Sequence, residues 1–338
     1  MITDRRTHAM WRGTLTGAGL AAALSLAGCG LEPAGSFVPA AAPGSIQAIE
    51  GLPASAAITI TSKNYTEALI LGKMAVLAAK VAGFQVTDMS NVPGSVAVRE
   101  LMLNGDVDFV WDYTGTAWLA YLGNEAGIPG ERPQYEAVRD ADLKNGITWL
   151  EPAELNNTYA FAVKASAVPE LNGITKLSEI KDLPLSERSF CVESEFNSRQ
   201  DGFKPMLEEY NLTLGSADGV NRSNVKILDT GTIYAATARG ACNFGEVYST
   251  DGRIVALDLV VLEDDRAFFP AYNVAPVVRS ETLKKYPQLQ QIFAQISSKL
   301  TNSQQQTLNS RVDVDGEEPA FVAFDWMKAE GLITAPVK

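Results

Sequence analysis

Between residues 57 and 112 the chain alternates short β-rich runs with stretches whose apolar positions recur at helical spacing. Residues 57–62 (AITITS) read as a strand. Leu69, Ile70, Met74, Leu77, Ala78 and Val81 then fall on one helical face; Asn64 or Thr66 is placed to cap that helix and Gly83 to stop it. A second strand is predicted at 84–89, a helix at 95–104 stopped by Gly105, and a third strand at 107–112. Strand, helix, strand, helix, strand predicts an α/β unit with a largely parallel sheet.

The plan recurs further on. A strand at 189–193 leads into a polar turn, and a helix is predicted at 202–210. A strand at 225–228, a helix at 232–238 stopped by Gly240, and a strand at 242–247 follow. Aligning the two third strands puts Gly105 opposite Gly240. Eight residues after each glycine comes a tyrosine, Tyr113 and Tyr248, followed by a hydroxyl residue, Thr114 and Ser249. The two first strands each reach a serine (Ser62, Ser194) before a cation (Lys63, Arg199). The expectation is two facing lobes of one design, 58–158 with 273–338 and 159–272. Two crossings join them, near 159–163 and 272–277. Helices predicted at 283–300, 304–309 and 319–331 pack back on the first lobe.

The beginning of the chain has a different pattern. Arg5, Arg6 and Arg12 precede a small apolar run of about sixteen residues, short of the roughly twenty a membrane span needs. The run ends in LAGC at 26–29, which looks like a bacterial lipobox with Cys29 lipidated. Residues 1–28 are therefore read as a lipoprotein signal peptide. Residues 29–57, rich in Ala, Pro and Gly without sustained period, are read as a flexible tether. An irregular arm packed on the domain is the competing reading for part of it. The expected product is exported, anchored by lipid at one end, and monomeric.

The balance of 28 basic against 40 acidic side chains argues against nucleic acid as a partner, and loss of the leader removes three arginines and one aspartate. The single histidine, His8, leaves with the leader. Without it the mature chain has neither a Ser-His or Cys-His nucleophile nor a His-ligated metal, and no enzyme, cofactor or metal is expected. Cys191 and Cys242 remain, as a disulfide or as two separate buried thiols.

In an open parallel sheet, ligands sit outside the carboxyl ends of the strands, where helix N-termini also point. Lys63, Tyr113, Thr116, Arg199 and Tyr248 fall at such ends, and Tyr159 and Tyr272 near the two crossings. Four tyrosines and two cations thus converge between the lobes. Ring faces suit a quaternary ammonium, which has no N–H to donate. Each cation–π contact contributes about 0.5–2 kcal/mol, against the roughly 8 kcal/mol of micromolar binding. With Lys63 and Arg199 at the other pole, the implied ligand is a small methylated zwitterion. The bland alternative is that these tyrosines are core or surface, that Lys63 neutralises a neighbouring carboxylate, and that Arg199 pairs with Asp201. Tyr65, Tyr121, Tyr135, Tyr210, Tyr234 and Tyr286, with Trp111, Trp118 and Trp149, are read as core or surface.

SKNYTE at 62–67 with LG at 71–72, DYTGT at 112–116, NNTY at 156–159, RQDG at 199–202, YSTDG at 248–252, LEDD at 262–265 with FFPAY at 268–272, and NSRVD at 309–313 occur in order along the chain. This set resembles the glycine betaine/choline substrate-binding proteins of ABC importers. The resemblance implies a type II periplasmic-binding-protein-like fold and delivery of ligand to a permease and ATPase. It also implies a tyrosine cage on Tyr113, Tyr159, Tyr248 and Tyr272, with carboxylate-side contacts on Lys63, Thr116 and Arg199. Asn157 stands where relatives often carry Asp. Thr116 tolerates a carboxylate that an Asp would repel, which favours glycine betaine and similar betaines over choline. Carnitine, proline betaine, ergothioneine and a non-transport sensor role are the alternatives. The acids Glu263, Asp264 and Asp265 sit in a charged run and read as a solvated turn rather than as general acids.

Overall fold

In the computed structural model, residues 37–336 are described. The predicted leader, Cys29 and the first part of the predicted tether lie outside the described residues.

Among the described residues, twelve strands are distributed over two five-stranded sheets and one two-stranded ribbon. In chain order they are β1 Ala42–Pro43, β2 Ala57–Lys63, β3 Gln85–Val92, β4 Phe109–Tyr113, β5 Ile147–Trp149 and β6 Tyr159–Lys164. They continue with β7 Phe190–Val192, β8 Val225–Ile227, β9 Phe244–Tyr248, β10 Leu259–Val261, β11 Val274–Arg279 and β12 Ile333–Thr334. The first sheet runs β3-β2-β4-β11-β5 and the second β8-β7-β9-β6-β10. Read this way the two are the same sheet twice. The first strand of each unit is flanked by its second and third strands in parallel, and a reversed strand and an edge strand complete the order. The reversed strands β6 and β11 are the ones by which the chain enters each sheet from the other. The segments expected as crossings are thus the beginnings of strands, and the chain crosses at 150–158 and 262–273.

The repeat explains the two glycines. Gly105 (φ 82°) and Gly240 (φ 73°) take the left-handed backbone just past the helices Ser95–Asn104 and Thr230–Ala238. Each lets the chain turn into the middle strand of its sheet, so Tyr113 and Tyr248 arrive at matching strand ends.

The core of the first unit fills the space between its sheet and a helical layer. Ile58 and Ile60 of β2 pack in one cluster with Leu71, Met74 and Leu77 of the helix Thr66–Val81 and with Phe293, Leu308 and Val322 of the tail. The tail therefore packs on the first unit, as the pattern predicted. The segment expected as one helix over 283–300 is two, Ser280–Lys285 and Gln288–Ser297, broken before Pro287 because proline restricts the residue ahead of it. The expected side-chain cap on the first helix is absent. Its N-cap is Tyr65, and the Thr66 hydroxyl instead donates to Asp313 Oδ1 at 2.5 Å.

From Phe37 onward the predicted tether is not free chain. Ile46 is fully buried, Val38 nearly so, and β1 pairs with β12. Apolar residues spaced irregularly among Pro and Gly give no periodic signal, yet they cover the end of the first core. Cys191 and Cys242 form a disulfide, with Cα atoms 5.9 Å apart, that ties β7 to the segment entering the neighbouring β9.

Candidate functional site

A cavity of about 710 Å³ lies between the two sheets. Strand register builds its aromatic wall. In the second sheet Tyr159 opens β6 directly opposite Tyr248, the last residue of β9, and their ring centroids are 5.4 Å apart. In the first sheet Tyr113 ends β4 opposite Val274, two residues beyond Tyr272, whose ring meets that of Tyr159 edge-on at 5.4 Å. The close approach of this chain segment requires Gly115, where a Cβ would lie 2.6 Å from the Tyr272 ring. All four predicted cage residues line the cavity.

A fifth ring joins them. Tyr65, read from sequence as core or surface, stacks on Tyr248 at 5.6 Å and lies 6.2 Å from Tyr113, and it too lines the cavity. Its position at the end of a first strand, two residues past Lys63, was the available signal. Burial raises the pKa of all five phenols, so they stand as neutral rings.

The cations are placed differently from one another. Lys63 borders the cavity, 4% exposed, with its ammonium 2.7 Å from Asp112 Oδ1 and 5.1 Å from the Tyr113 ring centroid. Asp112 also accepts from the Tyr121 hydroxyl at 3.0 Å. Thr116 and Asn157 line the cavity as well. Arg199 stands behind the Tyr159 ring, 5.6 Å from its centroid, rather than on the cavity wall. Its Nε donates to Asp201 Oδ1 at 2.7 Å, and its Nη1 approaches Glu195 Oε1 at 3.4 Å. Both ion pairs offered as the bland alternative are therefore present. Arg199 orders the second unit's wall and does not reach the cavity itself.

Glu67 is a residue whose role sequence did not reveal. It lies in the first turn of the helix Thr66–Val81, where an acidic residue is ordinary. It is nonetheless 2% exposed and receives four hydrogen bonds. The Tyr113 hydroxyl (2.6 Å) and Asn157 Nδ2 (3.0 Å) donate to Oε1; Thr250 Oγ1 (2.6 Å) and Asn309 Nδ2 (3.3 Å) donate to Oε2. Burial raises its pKa and the four donors oppose that rise. On the opposite side Glu195 Oε2 accepts from the Ser95 backbone N–H at 3.3 Å, so a carboxylate of the second unit reaches a helix N-terminus of the first. The acids Glu263, Asp264 and Asp265 do not line the cavity. Asp264 instead caps the 268–269 turn, accepting the Phe268 and Phe269 N–H groups at 3.1 and 2.9 Å. Among the described residues no cluster of His, Cys, Asp and Glu is arranged to hold a metal, and no helix is long and apolar enough to cross a membrane.

An aromatic box between two repeated α/β units can hold a methylated cation without reacting with it. Residues 56–329 match the family model described as the substrate-binding domain of ABC-type glycine betaine transport systems. The chain belongs to this family.

A protein of Pseudomonas aeruginosa named as glycine-betaine-binding is 32% identical over 291 residues, covering 84% of this chain and 91% of that one. The Helicobacter pylori ergothioneine transport permease/ergothioneine binding protein EgtU is 28% identical over 279 residues, 81% of this chain but 48% of its own length. A solved glycine betaine/carnitine/choline ABC transporter structure aligns with a TM-score of 0.65 at 26% identity, over 80% of this chain and 98% of that one. Binding proteins of this family are not enzymes. They bind small quaternary ammonium compounds outside the cytoplasm and work with ABC permease components. The type II architecture of two units about a cleft is the family's.

Proposed function

We propose that this protein captures glycine betaine or a closely related betaine between its two units and delivers it to an ABC permease and ATPase, tethered to the membrane by lipid on Cys29. The observation that carries this reading is the convergence of Tyr113, Tyr159, Tyr248 and Tyr272, contributed by both sheets and the crossing, on one cavity. The trimethylammonium sits among these rings. Each face adds about 0.5–2 kcal/mol, most where water is excluded. Lys63 has three N–H donors and directs one to Asp112, so it meets the ligand carboxylate with the others, beside Thr116. Arg199 acts from behind, by holding Tyr159 and Asp201. The units 58–158 with 273–338 and 159–272 close as bodies. Rings from both meet the ligand only in the closed form, so binding favours closure.

Titration calorimetry of the mature protein with glycine betaine, choline, carnitine and ergothioneine tests this. Glycine betaine is expected to bind most tightly. Tyr248→Ala is expected to weaken it at least about tenfold with little change in the melting temperature of the empty protein, because Tyr248 is only partly buried and its ring faces the cavity. No heat from any of the four compounds would end the proposal.

A further inference from the structure

Some of the buried carboxylates near the cavity are paired with cations and others are not. Asp112 is balanced by Lys63 and Asp201 by the guanidinium of Arg199. Glu67 has no cation among its partners; all four are neutral donors from Tyr113, Asn157, Thr250 and Asn309. A buried carboxylate without a countercharge is costly unless something supplies the charge. Tyr113 and Asn157 both donate to Glu67 and both line the cavity, so a cation bound there lies one layer of side chains from the carboxylate; Glu67 itself lines a small second pocket that also contains Arg253.

Two consequences follow for the groups in front of Glu67. A phenol donating to a carboxylate carries more negative charge on its ring face than one donating to water, which strengthens the attraction of Tyr113 for a cation. A carboxylate accepts and does not donate, so the Asn157 amide must turn its nitrogen toward Glu67 and its oxygen away. That oxygen is buried and has no hydrogen-bond partner in the protein, although Asn157 lines the cavity. A buried orphan acceptor leaves negative potential beside the cage that no protein donor neutralises, and a cation bound in the cage answers it through space.

We propose that Glu67 is the positioning residue that makes the cage selective for a permanent positive charge: it fixes the Asn157 amide with its oxygen unpaired beside the cage, polarises the Tyr113 ring, and provides negative charge that the ligand completes. This rests on the betaine reading above. The test compares glycine betaine with 3,3-dimethylbutanoate, the same shape with a neutral tert-butyl head, on wild type, Glu67→Gln and Glu67→Asp. Glu67→Gln keeps the length and loses the charge; Glu67→Asp keeps the charge and loses the length. Glycine betaine affinity is expected to fall about tenfold in Glu67→Gln and less in Glu67→Asp, while binding of the tert-butyl compound changes less than about threefold in either. A purely structural role gives the opposite order, with Gln tolerated better than Asp, or equal losses for both compounds, and overturns the proposal. Should Glu67→Gln fail to fold, Tyr113→Phe keeps the ring and removes the hydroxyl; an unchanged preference for the charged head in that variant overturns the polarising role. A wild type that binds no quaternary ammonium fails the betaine reading itself, whereas a wild type that binds with unchanged variants fails only this one.

Discussion

Glu246 sits on β9 two residues before the cage residue Tyr248 and is 3% exposed. Burial pushes its pKa up to about 8; the Glu193 N–H donated to it at 2.7 Å pulls down, the Glu193 carboxylate pushes up, and Arg199 pulls down. In the unfolded chain the same group titrates near 4.5. The folded form therefore holds a proton that the unfolded form has released between those values. Stability from this group is fully present below about pH 4.5 and is lost as pH rises through about 8. Glu67, Glu193 and Asp313 are shifted in the same direction, so the comparison must be with a variant. Glu246→Gln keeps the acceptor for the Glu193 N–H. Its melting temperature is expected to gain on wild type steadily from about pH 5 to about pH 8. Parallel curves across that range would mean that another group carries the dependence. At this scale the sequence was partly legible. Tyrosines at strand ends announce themselves, because strand direction alone puts them at the cleft. Glu67 and Asp112 do not, since what makes them matter is a partner about fifty or more positions away in the chain: Asp112 for Lys63, and Asn157, Thr250 and Asn309 for Glu67.

Among the elements, the turn after β4 shows how local sequence fixes the site. Thr114–Thr116 is a helical turn that passes directly into a π-helical segment, Ala117–Tyr121. The Thr114 N–H donates to Asn273 O at 3.0 Å and its hydroxyl receives the Asn273 N–H at 3.1 Å, which docks the turn on the start of β11. Gly115 lies against the Tyr272 ring and Ala271 O, with 2.6 and 2.8 Å available to a Cβ. Gly115→Ala must push the ring or the crossing away. We expect a loss of about 1–3 kcal/mol in stability and a weakening of ligand binding beyond what the stability loss explains. An alanine variant that binds as wild type would show that the Tyr272 ring has room to shift. Elements built on clear periodicity, such as Ser95–Asn104, were legible almost to the residue. The helix Glu131–Asp142 was not, because the face it buries is partly polar: Gln134 and Asp142 are inside with Tyr135 and Val138. Asp142 pays for its burial by accepting from Arg99 at 2.8 Å and from Trp149 Nε1 at 2.7 Å. Hydrophobic spacing cannot show a core held by such a network. The edge strands β5 and β10 are three residues each, too short for any alternation to register.

For the molecule as a whole, the question is what holds the two units together around the cavity. On one side the contact is broad. Gln306 Nε2 donates to Ser249 O, Asn309 Nδ2 to Thr250 O, both at 3.0 Å, and Gly252 packs against Ser310. On the other side Glu195 reaches the N-terminus of the helix Ser95–Asn104, held by Arg199 of its own unit. That side is lined by Ser95, Val96, Glu193 and Ser198, and on the closure proposed above it is where the units part for a ligand to leave. A carboxylate at a helix N-terminus contributes about 0.3–1 kcal/mol when partly exposed, as Glu195 is. If that contact exists only in the closed form, removing it lowers the population of the closed form and raises the apparent dissociation constant by the same factor. Glu195→Ala is then expected to weaken glycine betaine binding about two- to fivefold, with the change in the dissociation rate and an association rate near that of wild type. Stopped-flow fluorescence, with the tyrosines lining the cavity as reporters, separates the two rates. A slower association with unchanged release would mean that Glu195 acts on ligand entry, for instance through the field at the mouth, and that closure is set by the broad contact alone.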